Sequence, residues 1–128
     1  MHTAIYASLS ALLMIFLSVN VIKQRRSHKV AFGDGEVDSL RQARAAQSNA
    51  SEYIPITLIL LFLLEYNGGW IWLVHLLGVA LLIGRVLHSR GMLYADMKNR
   101  VRGMVFTFSI LALLATLNLV LMLKSFLG

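Results

Sequence analysis

The stretch from Asp38 to Leu64 begins like a soluble helix and ends like a membrane span, and it constrains the fold more than any other part of the chain. Its first half carries Arg41, Arg44, Gln47, Asn49 and Glu52, whereas the twelve residues from Tyr53 to Leu64 hold no charge. A helix needs about 20 apolar residues to cross the hydrocarbon of a bilayer. Part of the polar half must therefore lie at membrane depth. This is where a function is expected.

Composition sets the environment. Of 128 residues, 58% are apolar and only 14% charged, against roughly 45–50% and about 25% in soluble domains. The apolar residues are gathered in long blocks, so the chain reads as one all-α integral membrane domain over residues 1–128. It has no cysteine, which excludes disulfides, thiolate metal sites and a cysteine nucleophile. Any thiol chemistry would need sulfur from a ligand. The net charge of +6 lies in two clusters flanking apolar spans. That pattern argues for membrane topology rather than nucleic-acid binding.

The expected helices cover about 3–22, 38–66, 69–88 and 100–125. Thr3 to Ile22 is an uncharged run of 20 residues. Its basic cluster, Lys23 to Arg26, follows the run, whereas a signal peptide places basic residues before it. Retention as a span is expected. Lys23 to Val37 forms a loop with a Gly33-Asp34-Gly35 turn, and Asp38 or Ser39 is placed to cap the second helix. That helix, 29 residues if it runs to Tyr66, would be roughly 43 Å long and would protrude from the membrane. Pro55 removes one of its backbone bonds and favours a kink. Asn67-Gly-Gly69 makes a tight turn, and Trp70 and Trp72 stand where an interfacial aromatic belt would lie.

The first connection, 23–44, holds six Lys/Arg and the third, 85–102, holds five, whereas the Asn67-Gly-Gly69 turn holds none. The positive-inside rule then puts both basic connections in the cytoplasm and both termini outside it.

On a helical wheel Arg41, Arg44, Ser48, Glu52 and Pro55 fall within about an 80° arc. Charges at membrane depth face a bundle interior, a cavity or each other. Arg44 and Glu52 either pair with neighbouring helices to fix packing, or help to form a polar ligand site. Arg85 follows a long apolar run, with His88 one turn on. It either snorkels to the interface or points inward toward Glu52. His75 reads as a hydrogen-bonded packing residue. Arg100 and Arg102 either anchor the fourth helix at the interface or stabilise an anion at the mouth of a cavity. No His/Asp/Glu spacing suggests a metal site, and neither a phosphate loop nor a nucleophile elbow is present.

The segment Gln47-Ser-Asn49-Ala-Ser-Glu52-Tyr53-Ile-Pro55 resembles the second-helix signature of the MAPEG family, the membrane-associated proteins of eicosanoid and glutathione metabolism. Gly84-Arg85-Val-Leu-His88 with Gly91, and Arg100-Val-Arg102-Gly103-Met104 with Thr107, resemble the family's third- and fourth-helix patterns. The likeness spans nearly the whole chain and is greatest to the small bacterial inner-membrane branch. It implies a homotrimer of four-helix protomers that holds glutathione as co-substrate between subunits near the cytoplasmic side. Asn49, Glu52 and Tyr53 match second-helix ligand positions, with Glu52 taking the glutathione amino group. Gln47 and Arg44 stand beside them, and Arg85 and His88 match third-helix positions near the same ligand. Arg100 best matches the arginine that stabilises the thiolate, with Arg102 as the alternative. One position departs from the pattern: the family commonly has a carboxylate-binding arginine two residues before Gln47, where this chain has Ala45.

The resemblance thus implies a glutathione transferase-like enzyme that conjugates or reduces lipophilic electrophiles entering from the lipid. Two other functions suit the residues: a non-catalytic structural or lipid-binding membrane protein of the same fold, and a small drug–proton transporter. A transporter wants an isolated membrane carboxylate, and Glu52 stands among arginines.

Overall fold

The computed structural model describes residues 1–128 and contains four helices. They are α1 (Thr3–His28), α2 (Asp38–Tyr66), α3 (Ile71–Leu93) and α4 (Met97–Leu127). Three of them, α1, α3 and α4, are long and apolar enough to cross a membrane. Only α2 falls short, because of its polar first half. Many large apolar side chains of α1, α3 and α4 face outward, among them Leu12, Ile15, Phe16, Leu76, Ile83 and Val105. In water such faces would be a liability. In lipid they are the solvated surface.

Burial on α2 falls at Leu40, Ala43, Ala46, Ala50, Ile54, Thr57, Leu61 and Leu64. Steps of three and four residues keep these on one helix face. The small residues Ala43, Ala46 and Ala50 let α1 approach closely, with Leu17 and Val21 filling the contact. Toward the other end the core is bulkier: Leu61 and Leu64 meet Leu73, Val74, Leu77 and Leu81 of α3, Ile110 and Leu114 of α4, and Tyr6 of α1.

Polar groups fasten the bundle where backbone would otherwise go unsatisfied. The Glu65 carboxylate of α2 accepts hydrogen bonds from the backbone N–H groups of His2 and Thr3 and from Thr3 Oγ1. It therefore caps α1, whose own N-cap residue supplies no side-chain bond. Asn118 of α4 donates to the carbonyls of Leu60, across on α2, and Leu114. His75 Nδ1 lies 2.7 Å from the Tyr6 hydroxyl, which makes it a bonded packing residue between α1 and α3.

Several ends differ from expectation. Lys23 to His28 continue α1 in place of forming a loop, since nothing in that run disfavours a helix. The break comes at Lys29, which adopts a left-handed conformation (φ 54°). Neither Asp38 nor Ser39 caps α2: Val37 holds the N-cap position without a side-chain bond. Ser39 instead donates to Gln24 of α1, while Asp38 lies in the first turn, where the helix dipole favours its charge. Pro55 leaves α2 continuous. α3 begins at Ile71, past the glycine turn, and runs on to Leu93, while α4 starts at Met97. The long polar connection expected between them is thus mostly helix, because Asp96 caps α4 by accepting from the Asn99 N–H.

Candidate functional site

α3 and α4 pack together more extensively than any other pair of helices. Glycine explains how near they come. A Cβ on Gly103 would lie 2.5 Å from both the backbone N and the Cβ of His88, and one on Gly91 would collide with the backbone of Arg100. These two positions bring the start of α4 against the end of α3 and set Arg100 close to His88.

Behind that contact lies Arg85, fully buried. Its Nη2 donates to Asn49 Oδ1 on α2 at 2.5 Å, and its Nη1 to Thr107 Oγ1 on α4 at 3.3 Å. Nη2 also lies 3.1 Å from His88 Nδ1. An arginine has donors only, so His88 Nδ1 accepts, and the neutral ring carries its proton on Nε2. Thr107 Oγ1 in turn donates a hydrogen bond to the Gly103 carbonyl at 2.9 Å. No carboxylate pairs with Arg85, and its Nε is buried without a partner. Arg85 therefore neither snorkels to the interface nor reaches Glu52, as expected of it from sequence. It ties α2, α3 and α4 together through neutral dipoles.

In front of this network is a cleft of about 250 Å³, lined by Ala45, Ser48, Asn49, Glu52, His88, Met92 and Arg100. Four of the residues singled out from sequence, Asn49, Glu52, His88 and Arg100, thus meet on one wall system drawn from three helices. Glu52 is exposed and bonded only to Ser48 on its own helix, at 3.3 Å. It is free to take a ligand amine. A second, wider depression of about 520 Å³ adjoins along α2, lined by Arg41, Arg44, Ala45, Gln47, Ser48 and Ser51. Ala45 and Ser48 belong to both. With Arg44 and Arg100 beside the openings and Arg85 behind, cations outnumber the single carboxylate Glu52. The combined site favours an anionic ligand.

Other candidates lie elsewhere. Gln47 turns toward α1 and donates to Ser18 Oγ at 2.9 Å, and it also lines the wider depression. Tyr53 packs edge-on against Phe108 of α4, with ring centroids 5.5 Å apart. Arg102 is exposed and lines neither cleft. Arg41 is engaged by Asp34 of the loop and by Asp38 in the first turn of α2. Met92 was not singled out from sequence, although it stands one turn beyond His88 on the same face of α3.

The stripe of Arg41, Arg44, Ser48, Glu52 and Pro55 is exposed on the protomer. Arg44 makes no ion pair, so the packing expectation for Arg44 and Glu52 is not realised by the protomer's own helices.

Four packed helices, three of them apolar enough to span a bilayer, with an Asn–Glu pair on the second facing His and Arg from the third and fourth, define a class of membrane protein. The chain belongs to the MAPEG family, whose pattern matches residues 3–122. It is 40% identical over 119 residues to the Inner membrane protein YecN of Escherichia coli strain K12, covering 93% of this chain and 91% of that relative. The same figures hold for the Inner membrane protein YecN of Escherichia coli O6:H1.

Proposed function

We propose that this protein is an inner-membrane glutathione transferase-like enzyme, and that the cleft between α2, α3 and α4 holds glutathione. The observation that carries the reading is the convergence of Asn49, Glu52, His88 and Arg100 on one cleft. In this reading Glu52 binds the α-amino group, and Arg44 and the wider depression receive carboxylates in place of the arginine absent at Ala45. Arg100 lies nearest the thiol. A thiol with an ordinary pKa of about 8.5 ionises more readily beside cations. The thiolate sulfur then attacks an electrophilic carbon: a C–S bond forms, and the leaving group departs with the electron pair. The chain has no thiol of its own, and the ligand makes up the lack.

The exposed Arg44–Ser48–Glu52 stripe supports a homotrimer in which a neighbouring subunit closes the site, since charges on a membrane helix seek a polar partner. The basic connections then face the cytoplasm, and the lipophilic electrophile enters from the bilayer. The test is conjugation of glutathione to an activated aryl halide by purified protein in detergent. Wild type should exceed the uncatalysed rate, Arg100→Gln should slow the reaction, and Arg102→Gln should leave it unchanged. No rate above background in wild type retires the enzymatic reading.

One observation favours a second reading, a structural membrane protein. Both Arg85 Nη groups find their partners within a single protomer. Under that reading Glu52→Gln would dissociate the oligomer without affecting any ligand.

A further inference from the structure

A second groove, independent of the glutathione reading, runs between α1 and α3 on the lipid-facing side. Its volume is about 260 Å³. Leu13 and Phe16 of α1 and Val86 of α3 form an apolar floor; Ser89, Arg90 and Tyr94, with Leu93 between the last two, stand at the end nearer the basic connections. Two of these polar groups are unaccounted for by the fold. Ser89 is only 3% exposed, and its Oγ has no hydrogen-bond partner. Buried polar atoms are nearly always satisfied, so an orphan hydroxyl lining a groove marks a missing acceptor or donor. Arg90 is exposed, takes part in none of the chain's ion pairs and has no carboxylate beside it in the groove.

The groove is thus graded along its length: hydrocarbon at one end, then a hydroxyl donor, an unpaired cation and a phenol. Water or a soluble anion would match only the second half. A lipid tail without charge would match only the first. Basic pockets between membrane helices hold anionic lipid head groups, and this groove has the same make-up at the end of the bundle where the basic residues gather.

We propose that the α1–α3 groove is a binding site for an anionic phospholipid, whose phosphate is held by Arg90 and Ser89 while an acyl chain lies along Leu13, Phe16 and Val86. The site bridges the two helices on a face distinct from the Glu52–Arg100 cleft, so it is separable from the proposed enzymatic site.

The experiment is native mass spectrometry of the full chain in detergent, with phosphatidylglycerol or phosphatidylcholine of identical acyl chains added. Phosphatidylglycerol should be retained in preference, and Arg90→Gln should weaken its retention about fivefold, the equivalent of the ~1 kcal/mol that one basic residue near a membrane surface contributes. Ser89→Ala should weaken it too. Val86→Trp, which fills the floor from a lipid-exposed position, should reduce retention of both lipids, while Lys98→Gln, a basic residue outside the groove, should change nothing. Equal retention of the two lipids, an equal loss in Lys98→Gln, or a change of oligomeric mass in Arg90→Gln in place of lipid loss would overturn the proposal.

Discussion

Arg85 is fully buried without a carboxylate, so its charge rests on the dipoles of Asn49, Thr107 and His88. Removing one acceptor leaves the cation less satisfied, and hydrogen bonds to charged groups are worth roughly 1.5–3 kcal/mol. Asn49→Leu should lower stability by about that much in thermal unfolding in detergent. Replacing donor and acceptor together removes the unsatisfied charge as well, so Arg85→Met with Asn49→Leu should recover most of the loss. A double variant no better than the single would show that Arg85 does not depend on Asn49. A second residue-scale effect lies outside the membrane, in the first loop. The Asp34 carboxyl is held below its ordinary value of 3.8, first by the backbone N–H of Glu36 and then by Arg41. A depressed carboxylate contributes order that is present above its ordinary pKa and lost as pH falls through it toward the folded value. Limited proteolysis of the 30–37 loop should therefore rise in that acid range, and Asp34→Asn should cleave readily at every pH.

At the scale of elements, the close α3–α4 contact positions His88 and Arg100. A methyl group on Gly103 would meet the His88 backbone at 2.5 Å, and overpacking of this kind costs typically 1–3 kcal/mol. Gly103→Ala should lower the unfolding temperature and disturb the cleft, whereas Gly33→Ala, with open space around its Cβ position but a left-handed φ of 67°, should strain only the loop. The four helices and their order were legible in the sequence because long uncharged runs and the Asn67-Gly-Gly69 turn separate them. Helix ends were less so: Lys23 to His28 and Ser89 to Leu93 are polar enough to read as connection, yet a helix leaving the membrane continues until a left-handed residue breaks it, as Lys29 and Ala95 do. The cleft residues Asn49, Glu52, His88 and Arg100 were legible from their motifs. The partner of Arg85 was not. Charge pairing pointed to Glu52, but the buried guanidinium meets the neutral Asn49, one turn nearer the start of α2, and no periodicity distinguishes those two faces at the required precision.

At the scale of the molecule, the protomer presents lipid with apolar faces on α1, α3 and α4 and leaves the polar stripe of α2 exposed. That arrangement suits a protein completed by its own copies, with Arg44, Ser48 and Glu52 turned toward a neighbour and the cleft opening beside them. We propose that this cleft recognises glutathione through Glu52, and isothermal titration calorimetry of the full chain in detergent measures that recognition. Glutathione should bind saturably at millimolar concentration or below, Glu52→Gln should weaken binding at least about tenfold, equivalent to 1.4 kcal/mol, and the oligomeric mass of the variant should be unchanged. Absence of binding at millimolar glutathione, or binding indifferent to Glu52→Gln, would show that the cleft does not recognise glutathione through Glu52.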